Sequence, residues 1–264
     1  MNSVEHSHED GILEEQPLHS LDLPKKIRKR LNECTEASSA GPNDDVKYLW
    51  VHVTNGLSSN QCSSTSAPSD LSLEHWLNVV NEAASLGVTW FVISVGTALS
   101  DFPNAWKVCE WAQNVHGMTV GIHTARTELT EADVEAIKKL DGSKTRLLVS
   151  KEDLANFQHL DKLGIGIREA DPRPGEQQAP CEKPNRMVFV NPQGQLYTCG
   201  LVEGNNAYHL GSVFNGTLDA ILHNRNLPHA VSEQVPREGH GCDGCPPIMA
   251  AFFEEMDKAP RTES

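Results

Sequence analysis

The chain has 264 residues, 38% of them hydrophobic, with 22 Lys and Arg against 36 Asp and Glu and a formal net charge of -14. That is enough apolar material for one sizeable core and a small satellite domain. The acidic balance repels phosphate backbones, so no nucleic-acid partner is expected. No apolar run reaches the roughly 18 residues of a membrane-spanning helix, so no membrane insertion is expected either. The start, Met1-Asn2-Ser3-Val4-Glu5-His6, has neither the basic nor the apolar part of a secretion signal, and a cytoplasmic location is the expectation. In that compartment the seven cysteines read as thiols or metal ligands rather than disulfides.

Residues 1–45 are polar, broken by Pro17, Pro24 and Pro42, and lack an apolar period; a disordered tail is expected, with a short helix near 25–31. Lys25, Lys26, Arg28, Lys29 and Arg30 form a basic patch read as solvated. Order should begin with a buried strand over 46–54, rich in β-branched and aromatic residues. Ser72 then supplies an N-cap, and Trp76, Val79, Val80, Ala83 and Leu86 recur at helical spacing up to Gly87. A near-continuous apolar strand over 88–95 follows, then a helix over 102–116 and a strand over 118–124. Thr130 and Asp133 have capping-box spacing at the start of the next helix. Strands over 146–150 and 165–168 flank a helix near 152–163. Trp76, Trp90, Trp106 and Trp111 fall in these elements and are assigned to the core. Strands alternating with helices imply an α/β fold with a parallel sheet, a truncated partial barrel of about five strands.

After Ala170 the texture changes. Asp171-Pro172-Arg173-Pro174-Gly175 breaks the alternation, and a second, Gly- and Pro-rich module starts. Residues 187–190 and 195–199 flank Asn191-Pro192-Gln193-Gly194, a hairpin signal. The expected domains are therefore a tail at 1–45, the partial barrel at 46–170, a metal-binding module at 171–251 and a flexible tail at 252–264. Cys34, Cys62 and Cys109 are scattered, whereas Cys181, Cys199, Cys242 and Cys245 share this module. The two-residue gap of Cys242-Asp243-Gly244-Cys245 lets two sulfurs grip one centre, and Cys181 and Cys199 bracket the hairpin and can converge on it. Four thiolates suit one 4Fe-4S cluster or, alternatively, zinc.

Gly194-Gln195-Leu196-Tyr197-Thr198-Cys199, preceded by Val188-Phe189-Val190-Asn191-Pro192 and followed by Leu210-Gly211-Ser212-Val213 and the Cys242/Cys245 pair, resembles the SPASM/twitch extension of radical S-adenosylmethionine enzymes. The shorter, one-cluster twitch form fits best, since no cysteine follows Cys245. Leu49-Trp50-Val51-His52-Val53-Thr54-Asn55 and Val120-Gly121-Ile122-His123-Thr124 are similar to that superfamily's first and third strands. The likeness spans about 46–249 and implies a partial barrel that ends in an auxiliary-cluster domain.

The resemblance breaks where the radical reaction is run. In the family, the loop after the first strand bears a C-x3-C-x2-C motif; here register from Asn55 puts Leu57, Gln61 and Ser64 at those places, with Cys62 one position off. The second strand ends Ser94-Val95-Gly96-Thr97 rather than in a Gly-Gly-Glu-like turn. Only about five strands fit before Cys181. The family's catalytic residues therefore do not carry over, S-adenosylmethionine binding is not expected, and only the ligand roles of Cys181, Cys199, Cys242 and Cys245 transfer.

The expectation is a non-catalytic radical-SAM-like iron-sulfur protein. It would serve as an accessory, electron-relay or scaffold partner of another protein, an active radical enzyme or its substrate protein or peptide, in a modification or maturation pathway. The alternatives are an enzyme with a remodelled, non-radical active site, near which Arg126 and Glu128 follow the third strand, and a zinc-stabilised structural protein. His123 at a strand end and His240 beside Cys242 are read as hydrogen-bonded or exposed rather than as ligands. Cys62 has no basic neighbour in sequence and is read as inert.

Overall fold

The computed structural model describes residues 46–53, 71–95, 102, 104–124, 129–149, 154–169, 186–228, 231, 245–247 and 250. The tail at 1–45 with its basic patch, the loop carrying Leu57, Gln61, Cys62 and Ser64, Gly96 and Thr97, Arg126 and Glu128, Cys181, His240, Cys242 and the tail at 252–264 lie outside them.

One eight-stranded sheet, in the order β5-β4-β3-β2-β1-β6-β7-β8, organises the described chain. Its strands are β1 (Tyr48–His52), β2 (Trp90–Val95), β3 (Thr119–Thr124), β4 (Thr145–Val149), β5 (Gly166–Glu169), β6 (Met187–Val190), β7 (Gln195–Tyr197) and β8 (His209–Ser212). The first five run parallel in sequence order, as the alternation of strand and helix implies. A sixth parallel strand joins them from beyond Cys181: β6 pairs with the free side of β1, Trp50 opposite Phe189 and Val51 opposite Val190. The hairpin β6–β7 and the antiparallel β8 extend that edge, so the metal-binding module continues the sheet across position 170. Gly194 closes the hairpin at φ 74°, a conformation that β-branched residues avoid.

Side-chain alternation divides the sheet into two faces. Leu49, Val51, Phe91, Ile93, Val120, Ile122, Leu147, Val149, Val188 and Val190 point to one face, where every helix is packed. These are α1 (Leu73–Ser85), α2 (Asn104–Asn114), α3 (Glu131–Ile137), α4 (Leu154–Phe157) and α5 (Leu218–Leu222). The opposite face carries a second, smaller cluster built on Trp50, Val92, Leu148, Met187 and Phe189. With both faces covered, the strands read as unbroken apolar runs, which is why they are visible in sequence.

The helix ends follow their caps. Ser72 Oγ accepts from the His75 amide while His75 Nδ1 accepts from the Ser72 amide, a capping box whose second member is a histidine. Gly87, at φ 93°, ends the same helix. The expected helix over 152–163 is α-helical only over Leu154–Phe157 and tightens to 3-10 over Gln158–Leu163. Trp76 and Trp106 are core. Trp111 is not: it is 37% exposed, and its indole donates to Asn81 Oδ1 at 2.8 Å on the solvent side of α2. Trp90 packs, half-buried, against the smaller cluster.

Asp133 does more than start α3. It is fully buried, and its carboxylate accepts from the Thr130 amide at 3.0 Å, from the Thr130 hydroxyl at 2.8 Å and from the Trp106 indole at 3.0 Å, so it ties α3 to α2. Asp133→Ala strands these donors in an apolar setting. It should lower the unfolding free energy by roughly 3 kcal/mol, read by urea denaturation, whereas Glu135→Ala on the exposed face of α3 should change it by less than about 0.5 kcal/mol.

Candidate metal centre and strand-end polar row

Cys199 follows β7 at the N-cap of a 3-10 turn over Gly200–Val202, and its sulfur accepts from the Leu201 amide at 3.4 Å. An N–H aimed at sulfur favours the thiolate, the form that binds metal. Cys245 arrives from the C-terminal part of the chain and is buried in the same apolar cluster as Cys199, among Trp50, Phe189, Tyr197, Val202 and Tyr208. Each is 5% exposed and neither is in a disulfide. The structure therefore brings one member of the C-x2-C pair together with the hairpin cysteine. Thr198 Oγ1, next to Cys199, is buried without a hydrogen-bond partner among the described residues, a spare donor such as a sulfur-rich group accepts. Buried thiols in a dry aromatic shell, an amide on one sulfur and an orphan hydroxyl beside it fit a thiolate-ligated centre. No group of three or more His, Cys, Asp or Glu is assembled for a metal among the described residues, which lack Cys181 and Cys242.

Gly200 sets how this turn meets the sheet. A Cβ there would lie 2.8 Å from Trp50 Cζ3 and 3.1 Å from Phe189 Cε2, so only glycine lets the backbone after Cys199 rest on the two rings. Trp50 is thus the floor of the cysteine turn. Its indole N–H, in turn, donates to Ser94 Oγ at 2.8 Å.

Ser94 is the middle of a row that sequence reasoning caught only at one end. His52, Ser94 and His123 are register partners on β1, β2 and β3, the last inward-facing residues of three adjacent parallel strands. Carboxyl ends of parallel strands are where such sheets bind ligands. Ser94 Oγ lies 3.2 Å from His123 Nδ1. Because an indole can only donate and Ser94 has no other acceptor among the described residues, the hydroxyl proton goes to His123 Nδ1, and neutral His123 keeps its own proton on Nε2. A serine beside a histidine has the outline of a nucleophile and base. Here Ser94 is fully buried and no substrate atom can reach it, so the pair is a fixed hydrogen-bond chain. The reading of His123 as a hydrogen-bonded histidine rather than a ligand agrees with this.

His52 packs edge-on against Phe189 and Trp50, with ring centroids 4.5 Å and 5.2 Å away. Burial, reinforced by His123, pushes its pKa down to about 3; burial brings His123 to about 4. Both rings are neutral at physiological pH. Glu203, at the end of the cysteine turn, brings a carboxyl oxygen to 3.8 Å from His52 Nδ1. Burial raises the Glu203 pKa, while an Asn191 side-chain hydrogen bond opposes the rise. Asn191 is itself aimed by the Gln193 and Gln195 amides, which donate to its Oδ1 at 3.0 and 2.9 Å. Nothing in the spacing of Glu203 marks it in sequence; the signal was Asn191, a turn residue followed by the closing glycine.

Two expectations follow. The histidines are neutral when folded and take up protons freely when unfolded, so their contribution to stability is complete above the unfolded value of 6.5 and declines as pH falls. Each should steepen the loss by up to about 1.4 kcal/mol per pH unit between 6.5 and the folded values; His52→Phe should remove one such increment from the pH slope measured by urea titration. Separately, Gly200→Ala should displace the Trp50 ring and the cysteine turn together, cost roughly 2 kcal/mol and lower metal content, read by elemental analysis beside the wild type.

Residues 181–246 match the SPASM family, described as an iron-sulfur cluster-binding domain, and that span contains all four candidate ligands. Among curated proteins, none is similar enough in sequence to match the chain. Among solved structures, the chain is similar to BtrN in complex with AdoMet and 2-DOIA, at 14% identity and a TM-score of 0.49, over 68% of this chain and 83% of that one. It is also similar to SuiB from Streptococcus suis bound to S-adenosylmethionine, at 10% identity and a TM-score of 0.49, over 85% of this chain and 74% of that one. The chain therefore carries a SPASM iron-sulfur cluster-binding domain at residues 181–246, mounted on an α/β, largely parallel sheet of radical-S-adenosylmethionine-like type.

Proposed function

We propose that this protein is a non-catalytic member of the radical-SAM-like group, holding one 4Fe-4S cluster on Cys181, Cys199, Cys242 and Cys245 and acting as an accessory, electron-relay or scaffold partner of another protein. The pathway class is peptide or protein modification, or maturation of another protein's active site, and the partner is an active radical enzyme or its substrate. The observation that carries the reading is the SPASM match over residues 181–246 in a chain whose loop after β1 has Leu57, Gln61 and Ser64 where a radical cluster needs cysteines. A single cysteine, Cys62, lies in that loop, and one thiolate does not hold a cubane cluster. When bound through four thiolates, such a cluster supplies one-electron transfer or a structural clamp and offers no open iron to a substrate.

This chain's own residues do three things around that centre. The Leu201 amide holds the Cys199 sulfur, Trp50 and Phe189 keep water from it, and Gly200 lets the turn seat on both rings. Among the described residues no helix is long and apolar enough to cross a membrane, in keeping with a partner met in solution, and cytoplasmic location belongs to the same proposal.

Iron, sulfide and zinc measured on protein purified without oxygen, together with its visible absorption, test the reading. About four irons and four sulfides per chain, lost in Cys199→Ser and Cys242→Ser, are expected. Zinc without sulfide would leave a colourless scaffold protein, and about eight irons would mean that a radical-generating cluster is present after all.

A further inference from the structure

The carboxyl of Glu203 is held with more care than a surface acid requires. The Asn191 side chain donates to it, and two backbone amides aim Asn191. Yet no cationic partner faces it among the described residues. Its neighbour His52 does not serve as one, because burial and the adjacent His123 keep that ring neutral. The 3.8 Å between His52 Nδ1 and Glu203 Oε2 is too long for a hydrogen bond between them. It is, however, the spacing of two acceptors gathered around one donor nitrogen, which can stand within hydrogen-bond distance of both. The wall beside this point is aromatic, with the Trp50, His52 and Phe189 rings in mutual edge-to-face contact. A carboxylate, an imidazole lone pair and ring faces form the recognition chemistry of an ammonium ion.

We propose that Glu203 and His52 form a binding site for a primary ammonium group at the strand-end row, with Trp50 and Phe189 as its apolar wall. The ammonium belongs either to an α-amine, as in a free amino acid or a peptide N-terminus, or to a lysine side chain. His123, locked through Ser94 to Trp50, packs beside His52 and keeps a second positive charge out of the row, so that the only cation accommodated is the one that pairs with Glu203. Asn191 is a positioning residue. The proposal holds whichever metal the four cysteines carry, so its failure and that of the cluster assignment are read separately.

The test uses the full chain with its native metal and n-butylammonium chloride as probe, followed by saturation-transfer NMR on the probe, with n-butanol as the uncharged match. The expected result is saturable binding of butylammonium, none of butanol, and affinity lower by about tenfold or more in Glu203→Gln, an isosteric change that removes the charge. Circular dichroism and metal content confirm that the variant is folded. Should it not fold, the wild-type comparison decides alone. Equal binding of butanol, absence of saturable butylammonium binding, or undiminished affinity in a folded Glu203→Gln would each overturn the proposal. Alanine amide and Nα-acetyl-lysine methylamide then tell the α-amine from the side-chain source, and binding of either, lost in Glu203→Gln, supports the site.

Discussion

The pairing of β6 with β1 is the contact on which the rest of the chain depends. β5 ends at the far edge of the sheet, yet the next strand adds on the other side of β1, so a long-range return of the chain is fixed by four backbone-paired positions. Such a return has a large conformational cost, and what offsets it is burial: all four residues of β6 are buried, Val188 and Val190 on the helix face and Met187 and Phe189 on the other. Once Phe189 stands opposite Trp50, the positions of the hairpin, the cysteine turn and Glu203 follow from chain length and hydrogen bonding. The metal module is therefore an extension of the sheet, and strain in either reaches the other through Trp50.

The two faces solve opposite problems. The helix face needs only shape and volume, and Trp76, Phe91, Ile93 and Ile122 supply both. The second face ends in a polar row where burial is expensive unless every group finds a partner. Two devices meet that demand without a formal charge: Trp50 donates through Ser94 to His123, and His52 gives up its proton. Only Glu203 retains a charge to be answered, and it sits at the edge where the cysteine turn reaches the histidines.

The elements legible in the sequence are those whose signal is local. The unbroken apolar strands, the Ser72 and Thr130 caps and the turn closed by Gly194 all appear near where their patterns put them. The grouping of Cys199 with Cys245 was legible because a two-residue cysteine gap has a chemical reason, although Cys181 and Cys242 lie outside the described residues. The sixth parallel strand was read as the first arm of a hairpin only, because its pairing with β1 is non-local and leaves no trace in its own four residues. Trp111 was misplaced since helical spacing alone does not tell the core side of a half-polar helix from its rim, where an indole can bond Asn81. The polar row was half visible: His123 stood out at a strand end, but Ser94 looked like any small residue in an apolar run, and its partnership with Trp50 exists only across strands.

That arrangement bears on what a cluster would do in this chain. β6 and β7 lie between Cys181 and Cys199 in sequence, so ligation of both would pin the hairpin at its two ends, and the hairpin is what completes the sheet at β1. A metal that closes long loops stabilises the fold whatever its redox chemistry. Loss of fold on loss of metal is therefore expected of an electron relay and of a scaffold alike. What separates them is where an electron could go. The wall between Cys199 and the strand-end row is a single indole, Trp50, touching Gly200 on one side and Ser94 on the other. A centre that served only as a clamp would have no need of a buried, hydrogen-bonded aromatic in that position, and any hydrophobic residue filling the same volume would do.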